Sequence, residues 1–275
     1  MRRAMQALVV VAILCVVAGV AVSAIAKSRA SAQNLACHNN LKQISLAVHN
    51  YRDTCGTFPI ATVKGEPRDN NPYDVIPAEK RLSWLYSIIP FVEQCPRFGN
   101  PAKPWDDEEN LHLEAQSRET NEWFPEGNVR TFECPMSAQP SEPYRANIGH
   151  YIGIAGNFPQ AIYAPFGTPH IGMFGYDRPI HLEDITDGTG RTLLVVESTL
   201  NNGMWTAGGE STVRGFKNPN HMPYGGKTGQ FRNEHSQSIN VSFVDGSIRS
   251  LSADINPKVF EAMATIADGD TVPDF

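Results

Sequence analysis

The sequence predicts an α+β fold: one long N-terminal helix, first apolar on every side and then on only one, packed against β-strands. Three observations carry that expectation. From Ala7 to Ala26, twenty residues (ALVVVAILCVVAGVAVSAIA) hold no charge and only Ser23 as a polar side chain. At about 1.5 Å per residue such a run spans a bilayer core. Beyond it there is no Pro and no Gly before Gly56, and Cys37, Leu41, Ile44, Val48 and Tyr51 recur at a 4-3-4-3 spacing. The helix therefore continues with a single apolar stripe, which another layer must cover. Near the C-terminus, Ile239, Val241 and Phe243 alternate with Asn240 and Ser242 ahead of Asp245-Gly246, after which Ile248 resumes the pattern. That is the pattern of a β-hairpin.

Residues 1–6 are a short stub carrying Arg2 and Arg3, and residues 7–26 a transmembrane helix with the lipid bilayer as its partner. A cleaved signal peptide is the alternative: Arg2 and Arg3 make a basic n-region, and Ala24-Ile25-Ala26 is a small-x-small cleavage site near Ala26. Either way residues 27–275 are exported. Lys27 and Arg29 face Arg2 and Arg3 across the apolar run, so charge alone leaves the orientation open. A stem helix follows over 27–54, and Ser83 to about Phe98 reads as a second helix with Ser83 as N-cap and Pro90 as a kink. Asp106 to Gln116 suggests a third, with acids in its first turn. His150 to Ile154 and Thr192 to Glu197 read as strands, the LLVV run of the second suiting a mid-sheet position. In the hairpin, a two-residue type I′ loop at Asp245-Gly246 would set Val244 opposite Ser247 and Phe243 opposite Ile248. Asn256-Pro257 opens a last helix over 257–267, and Asp268-Gly269 closes it.

Of the 275 residues, 41% are hydrophobic, enough to build a core beyond the apolar run. No acid occurs in the first 29 residues and four of the 23 basic residues do, which leaves 19 basic against 29 acidic residues, a net of about −10. Such a body is a poor partner for nucleic acid or an anionic membrane surface. Twenty-two Gly and twenty Pro indicate many turns and long connections.

Cys15 lies in the apolar run, leaving Cys37, Cys55, Cys95 and Cys134, which permit no, one or two disulfides in an exported body. No pair has CxxC spacing and no His sits beside them in a ligand pattern, so no metal and no cofactor are expected. No GxSxG elbow, HExxH helix or phosphate-cradling glycine loop appears, and no catalytic residue is expected either. Glu183-Asp184-Ile185-Thr186-Asp187-Gly188 is a candidate calcium loop through Asp184 and Asp187, or a tight turn. His38 and His49, eleven apart, share nearly one face of the stem. Trp105, Trp123 and Trp205 would suit sugar stacking if two of them were exposed around one concavity.

His235, nine intervening residues and Asp245-Gly246, in EHSQSINVSFVDGSIRSLS, resemble the H-x9-DG signature of pilin-like proteins abundant in planctomycetes and their relatives. Cys37-His38-Asn39-Asn40-Leu41-Lys42-Gln43-Ile44, Val48-His49-Asn50-Tyr51, Gly56-Thr57-Phe58-Pro59, Leu82-Ser83-Trp84, Ile89 to Gln94, Pro104-Trp105-Asp106, Phe132 to Pro135, Asp187-Gly188-Thr189, Thr192 to Glu197 and Trp205 are similar to that family's motifs, in its order. The family is DUF1559, also given a bacterial solute-binding label. The resemblance implies a pilin-like body: the stem on an antiparallel sheet with large loop insertions, a cytoplasmic N-terminus and an extracytoplasmic domain over 27–275. It brings no reaction. It implies a Cys37–Cys134 bridge, and pilin-like or surface-layer partners; Cys55 and Cys95 fall outside the family's motifs and are then the pair left for a second bridge. Two departures matter: MRRAMQALVV has no Gly before Gly19 and no acid, so the prepilin cleavage residue and the registering Glu of assembling pilins are both missing. The expected function is that of a non-enzymatic membrane-anchored protein of the cell surface or of a secretion system. The alternatives are a solute- or glycan-binding module and, last, a hydrolase. His235 and Asp245 either meet as a His–carboxylate pair or serve the hairpin separately, Asp245-Gly246 as its turn and His235 as an anchor of its entry.

Overall fold

In the computed structural model, helix α1 runs unbroken over Arg2–Cys55, 54 residues. It stops at the first glycine after the apolar run: Gly56 takes a φ of 81° and its N–H donates to the Arg52 carbonyl at 2.7 Å, a left-handed C-cap. The structure describes residues 2–64, 75–92, 99–111, 115–116, 123–124, 129–137, 147–217, 223–235 and 238–269. The two ends of α1 meet different surroundings. Val9, Val16, Val20 and Ile25 are all more than half exposed, whereas Cys37, Leu41, Ile44, Ala47 and Val48 are fully buried. The stripe is therefore covered as its spacing requires. Leu46, on the opposite face, stays 59% exposed.

A five-stranded sheet covers it, in the order β5-β3-β4-β6-β7. Its strands are β3 (Tyr151–Gly156), β4 (Leu193–Glu197), β5 (Val213–Gly215), β6 (Ser238–Phe243) and β7 (Ile248–Ser252). A separate pair, β1 (Ala115–Gln116) and β2 (Trp123–Phe124), forms a small ladder. The main sheet is buried on both faces. Leu194, Val195, Tyr151 and Ala155 pack with α1 and with helix α2 (Trp84–Val92). Ile152, Ile154, Leu193, Val196, Ile239, Val241 and Phe243 pack with Phe216, Tyr224, Phe231 and Phe260. Central β4 is thus the mid-sheet strand that its LLVV run predicts. A register shift between Leu193 and Val195 resets the alternation along it, which is why Leu194 and Val195 both face the stem side.

Five expectations need correction. The sheet is mixed: β5 lies parallel to β3, and the other pairs are antiparallel. A chain that doubles back after β4 and rounds the sheet edge arrives beside β3 in the same direction, and the fifteen residues between β4 and β5 are long enough for it. The hairpin register is one residue off, with Ser242 opposite Ile248 and Val241 opposite Arg249. Its loop has three residues, Val244-Asp245-Gly246, of which only Gly246 takes a positive φ, 79°; Gly246 N–H donates to Phe243 O and Phe243 N–H to Ser247 O, both at 2.9 Å. That is a type I turn closed by a glycine bulge, where type I′ would need a positive φ at Asp245 as well. Ile248 consequently joins Ser242 on the stem face, and Arg249 lies over the Phe243 ring, 5.2 Å from its centroid.

The helix expected over Asp106 to Gln116 is only α3 (Glu108–Leu111), and Ala115–Gln116 is extended. The last helix, α4 (Pro257–Ala262), starts as expected, with the Asn256 side chain accepting from Lys258 N–H. It ends early because the chain beyond it docks on the sheet and its neighbour: Leu193 N–H donates to Met263 O and Ile266 N–H to Ile171 O. Helix α2 occupies the first part of the span expected from Ser83, with Pro90 inside it. The remainder of that span, Cys95 included, lies outside the described residues.

Candidate functional site

A strand buried on both faces has little room for charge, yet β4 ends on Glu197, which is fully buried. Two residues beyond Val195, it points to the stem side of the sheet. Three residues meet it there. Cys37 is the first buried residue along the described part of α1; Cys134 follows the short 3₁₀ turn Arg130–Phe132; and His235 precedes β6. The Cys37 and Cys134 sulfurs are 2.9 Å apart, and His235 Nε2 is 3.0 Å from Glu197 Oε1. The four ligand-type atoms all lie within 4.8 Å of one another, and all four residues are buried.

Asn240 of β6 fixes the carboxylate from behind. Its amide donates to Glu197 Oε2 at 2.8 Å and to Asn34 Oδ1 at 3.0 Å, and its own carbonyl accepts from the Ser250 hydroxyl at 2.6 Å. His38 Nε2 adds contacts to Asn240 Oδ1 at 3.0 Å and to Ser250 Oγ at 2.8 Å. The Cys134 segment is tied to the stem as well: Gln33 donates to Pro135 O, Asn40 to Glu133 O and the Thr131 hydroxyl to Gln43 Oε1. Cys134 N–H donates to His150 Nδ1 at 3.2 Å, so the neutral ring carries its proton on Nε2 and donates it to Ser137 Oγ, 3.0 Å away.

Electrostatics follow from this packing. Burial alone would pull the His235 imidazole down, but its hydrogen bonds to Cys134 and Glu197 push it up to about 9. Burial alone would raise Glu197, and His235, Cys134 and Asn240 instead hold it below the usual carboxylate range. The two form a buried ion pair at neutral pH. The Cys134 thiol is pushed far up by its contact with Cys37 and by burial, and stays protonated. Burial takes His150 down to about 4.

A model of a family described as a protein of unknown function, DUF1559 (SBP_bac_10), matches residues 26–219. The chain belongs to the DUF1559 family. No curated protein and no solved structure matches it. Cys37, Cys134 and Glu197 lie inside the interval that matches DUF1559, whereas His235 and the Asp245-Gly246 turn lie beyond its end.

The structure separates His235 from Asp245-Gly246 in this DUF1559 chain. His235 precedes and Asp245 follows the six-residue strand β6, at opposite ends of a segment about 20 Å long. His235 pairs with Glu197. Asp245 Oδ1 accepts from Ser247 N–H at 2.8 Å inside the turn. The spacing thus marks the entry and exit of one strand. Asp187 is not arranged as an open calcium ligand, since its carboxylate accepts from Asp268 N–H, Gly269 N–H and the Thr265 hydroxyl. Asp184 accepts from His181 N–H in a capping turn. Cys37 and Cys134 are brought together as free thiols, and Cys55 is free and exposed. Trp205 is 1% exposed and Trp84 fully buried, while Trp105 packs on the core under Lys80. No stacking pair for a sugar forms from Trp105 and Trp205, and the side chain of Trp123 lies outside the described residues.

The shared face of His38 and His49 has a geometric reason. Eleven residues of helix advance about 16.5 Å, a span matched by the rest of β6 from Asn240 together with the turn after it, and the stem runs along the β6–β7 hairpin. His38 meets Asn240, while a Cβ at Gly246 would lie 3.5 Å from His49 Nε2. Lys42, between them, donates to Gly246 O at 2.8 Å. Glu197 is the site residue that sequence reading missed. Its signal is an acid ending an apolar mid-sheet run, a position that demands a buried partner. His235 reaches the two cysteines in space from a part of the chain that no local spacing pattern can register.

Proposed function

We propose that this DUF1559 chain is a membrane-anchored, non-enzymatic protein with a pilin-like body displayed outside the cytoplasm, serving the cell surface or a secretion system. One observation supports it above others: α1 is a single helix whose first part exposes an unbroken apolar surface and whose second part is buried in the body. Exposed aliphatic side chains all round a helix belong in lipid. The stem passes from bilayer to body without a hinge, so the body stands at a fixed distance from the membrane. The absent Gly and acid ahead of the apolar run favour a tether over an assembling filament subunit. Cys134, His235 and Glu197 have the composition of a nucleophile, base and orienting acid. Their burial among the described residues, with Cys134 and Glu197 at 0% exposure and His235 at 6%, supports a structural role.

Membrane fractionation with alkaline carbonate washing, protease treatment of intact cells and N-terminal sequencing of the recovered protein test this reading together. The expected result is a carbonate-resistant chain whose body is digested from outside and whose sequence still begins ahead of Ala7. A start at Lys27 in a soluble fraction, or a body protected from external protease, overturns it.

A further inference from the structure

We propose that Cys37, Cys134, Glu197 and His235 form a closed tetrahedral site for a thiophilic divalent cation of the zinc class, which staples the stem helix to the sheet where the stem enters the body. The proposal is independent of where the body is displayed. The donor set is two sulfurs, one imidazole nitrogen and one carboxylate oxygen, the mixture that zinc takes in tetrahedral sites and that calcium or magnesium does not. All four atoms already lie within 4.8 Å of one another. Tetrahedral coordination at about 2.3 Å per sulfur separates two sulfurs by roughly 3.8 Å, so the thiols need to part by a little under an ångström from their 2.9 Å contact. Both reach the site on side chains that rotate about χ1.

The surroundings are those of a metal site. Asn240 holds the outer oxygen of Glu197 and is itself held by Asn34 and Ser250, the outer support that orients a ligating carboxylate. The ligands come from four separate segments: the stem, the turn after Phe132, the end of β4 and the entry to β6. Four protein ligands, all buried, leave no open position, which is the arrangement of a structural centre rather than a catalytic one. A disulfide between the same two cysteines is the competing state, and it excludes the metal by consuming two donors. It leaves Glu197 and His235 as a buried ion pair with no part in the bond, whereas the cation employs all four residues.

The test uses the full-length chain in detergent, with Cys15, Cys55 and Cys95 replaced by serine so that only the site thiols remain. After reduction and chelator treatment it is titrated with cobalt(II) and then with zinc(II). The expected result is one equivalent of cobalt with thiolate-to-metal charge-transfer absorption and the intense visible bands of tetrahedral coordination, both abolished by zinc. C37S loses the charge-transfer intensity in part, and E197Q weakens cobalt binding on the order of tenfold or more. Should C37S fail to fold, E197Q with a native circular dichroism spectrum carries the test. Zinc raises the melting temperature of the parent and does so less in E197Q. A reduced, folded chain that binds no cobalt with a sulfur charge-transfer band, or an E197Q variant of unchanged affinity, overturns the proposal. So does recovery of Cys37 and Cys134 as a disulfide from membranes whose free thiols were alkylated on lysis.

Discussion

Gly246 occupies the one turn position that a side chain resists, with a φ of 79°, and its carbonyl receives the Lys42 ammonium from the stem. A Cβ there meets no close backbone, the nearest atom being His49 Nε2 at 3.5 Å. The cost of substitution is therefore conformational rather than steric. G246A is expected to lower stability by about 1–2 kcal/mol in chemical denaturation of the detergent-solubilised protein, and G246N by less, since asparagine tolerates the left-handed region. Arg178 makes the opposite kind of demand. It is 2% exposed and, among the described residues, faces no carboxylate: its guanidinium donates to the carbonyls of Ala155, Ala161, Ala164, Gly172 and Phe174. Burial lowers it to about 10, so it remains charged at neutral pH. Both R178M and R178K are expected to cost roughly 3 kcal/mol or more, because a thioether leaves carbonyls unpaired and an ammonium cannot span five acceptors. A loss below about 1 kcal/mol in either variant would contradict the bonding described.

At the scale of elements, α1 and the β6–β7 hairpin are the paired units that shape the body. The stem buries one stripe, and the contrast across the helix is measurable. L41A is expected to destabilise by about 2–5 kcal/mol, whereas L46A, on the exposed face, should change stability by no more than about 0.5 kcal/mol in the same unfolding experiment. Equal effects would mean that the stem does not dock as described. The 4-3-4-3 spacing made this face readable from sequence, because helical periodicity is a local property of consecutive residues. The hairpin was readable to within one residue. Alternation located both strands, but a two-residue and a three-residue loop fit the same letters. The choice is made by backbone bonds at Phe243, Val244 and Asp245, of which Val244 N–H to Thr192 O and Asp245 N–H to Thr189 O come from a distant segment.

For the molecule as a whole, the proposed anchoring of the body through the apolar part of α1 predicts separable defects. Replacing Val16 and Val20 by arginine places two charges in the apolar run at about 2.5–3.5 kcal/mol each near the bilayer centre. The chain is then expected to leave the carbonate-resistant membrane fraction. L35R, on an exposed position nearer the body, should leave that fraction unchanged. If the doubly substituted chain stayed in the membrane, the run would not be its anchor.

The sequence by itself determined the long helix, its change of character after Ala26, the mid-sheet place of LLVV, the start of α4 and the family. Each of these is written in neighbouring residues, as periodicity, capping or an ordered string of motifs. Only the tertiary structure decided that β5 runs parallel to β3, that the asparagine and serine face of β6 turns to the stem rather than to solvent, and that His235 answers Glu197 instead of Asp245. It alone gathered Cys37, Cys134, Glu197 and His235, which are up to 198 positions apart in the chain. The physical reason is the same throughout. Spacing along a chain encodes which face a residue takes on its own element, while the partner across the gap depends on how separate elements dock, and no local pattern records that distance.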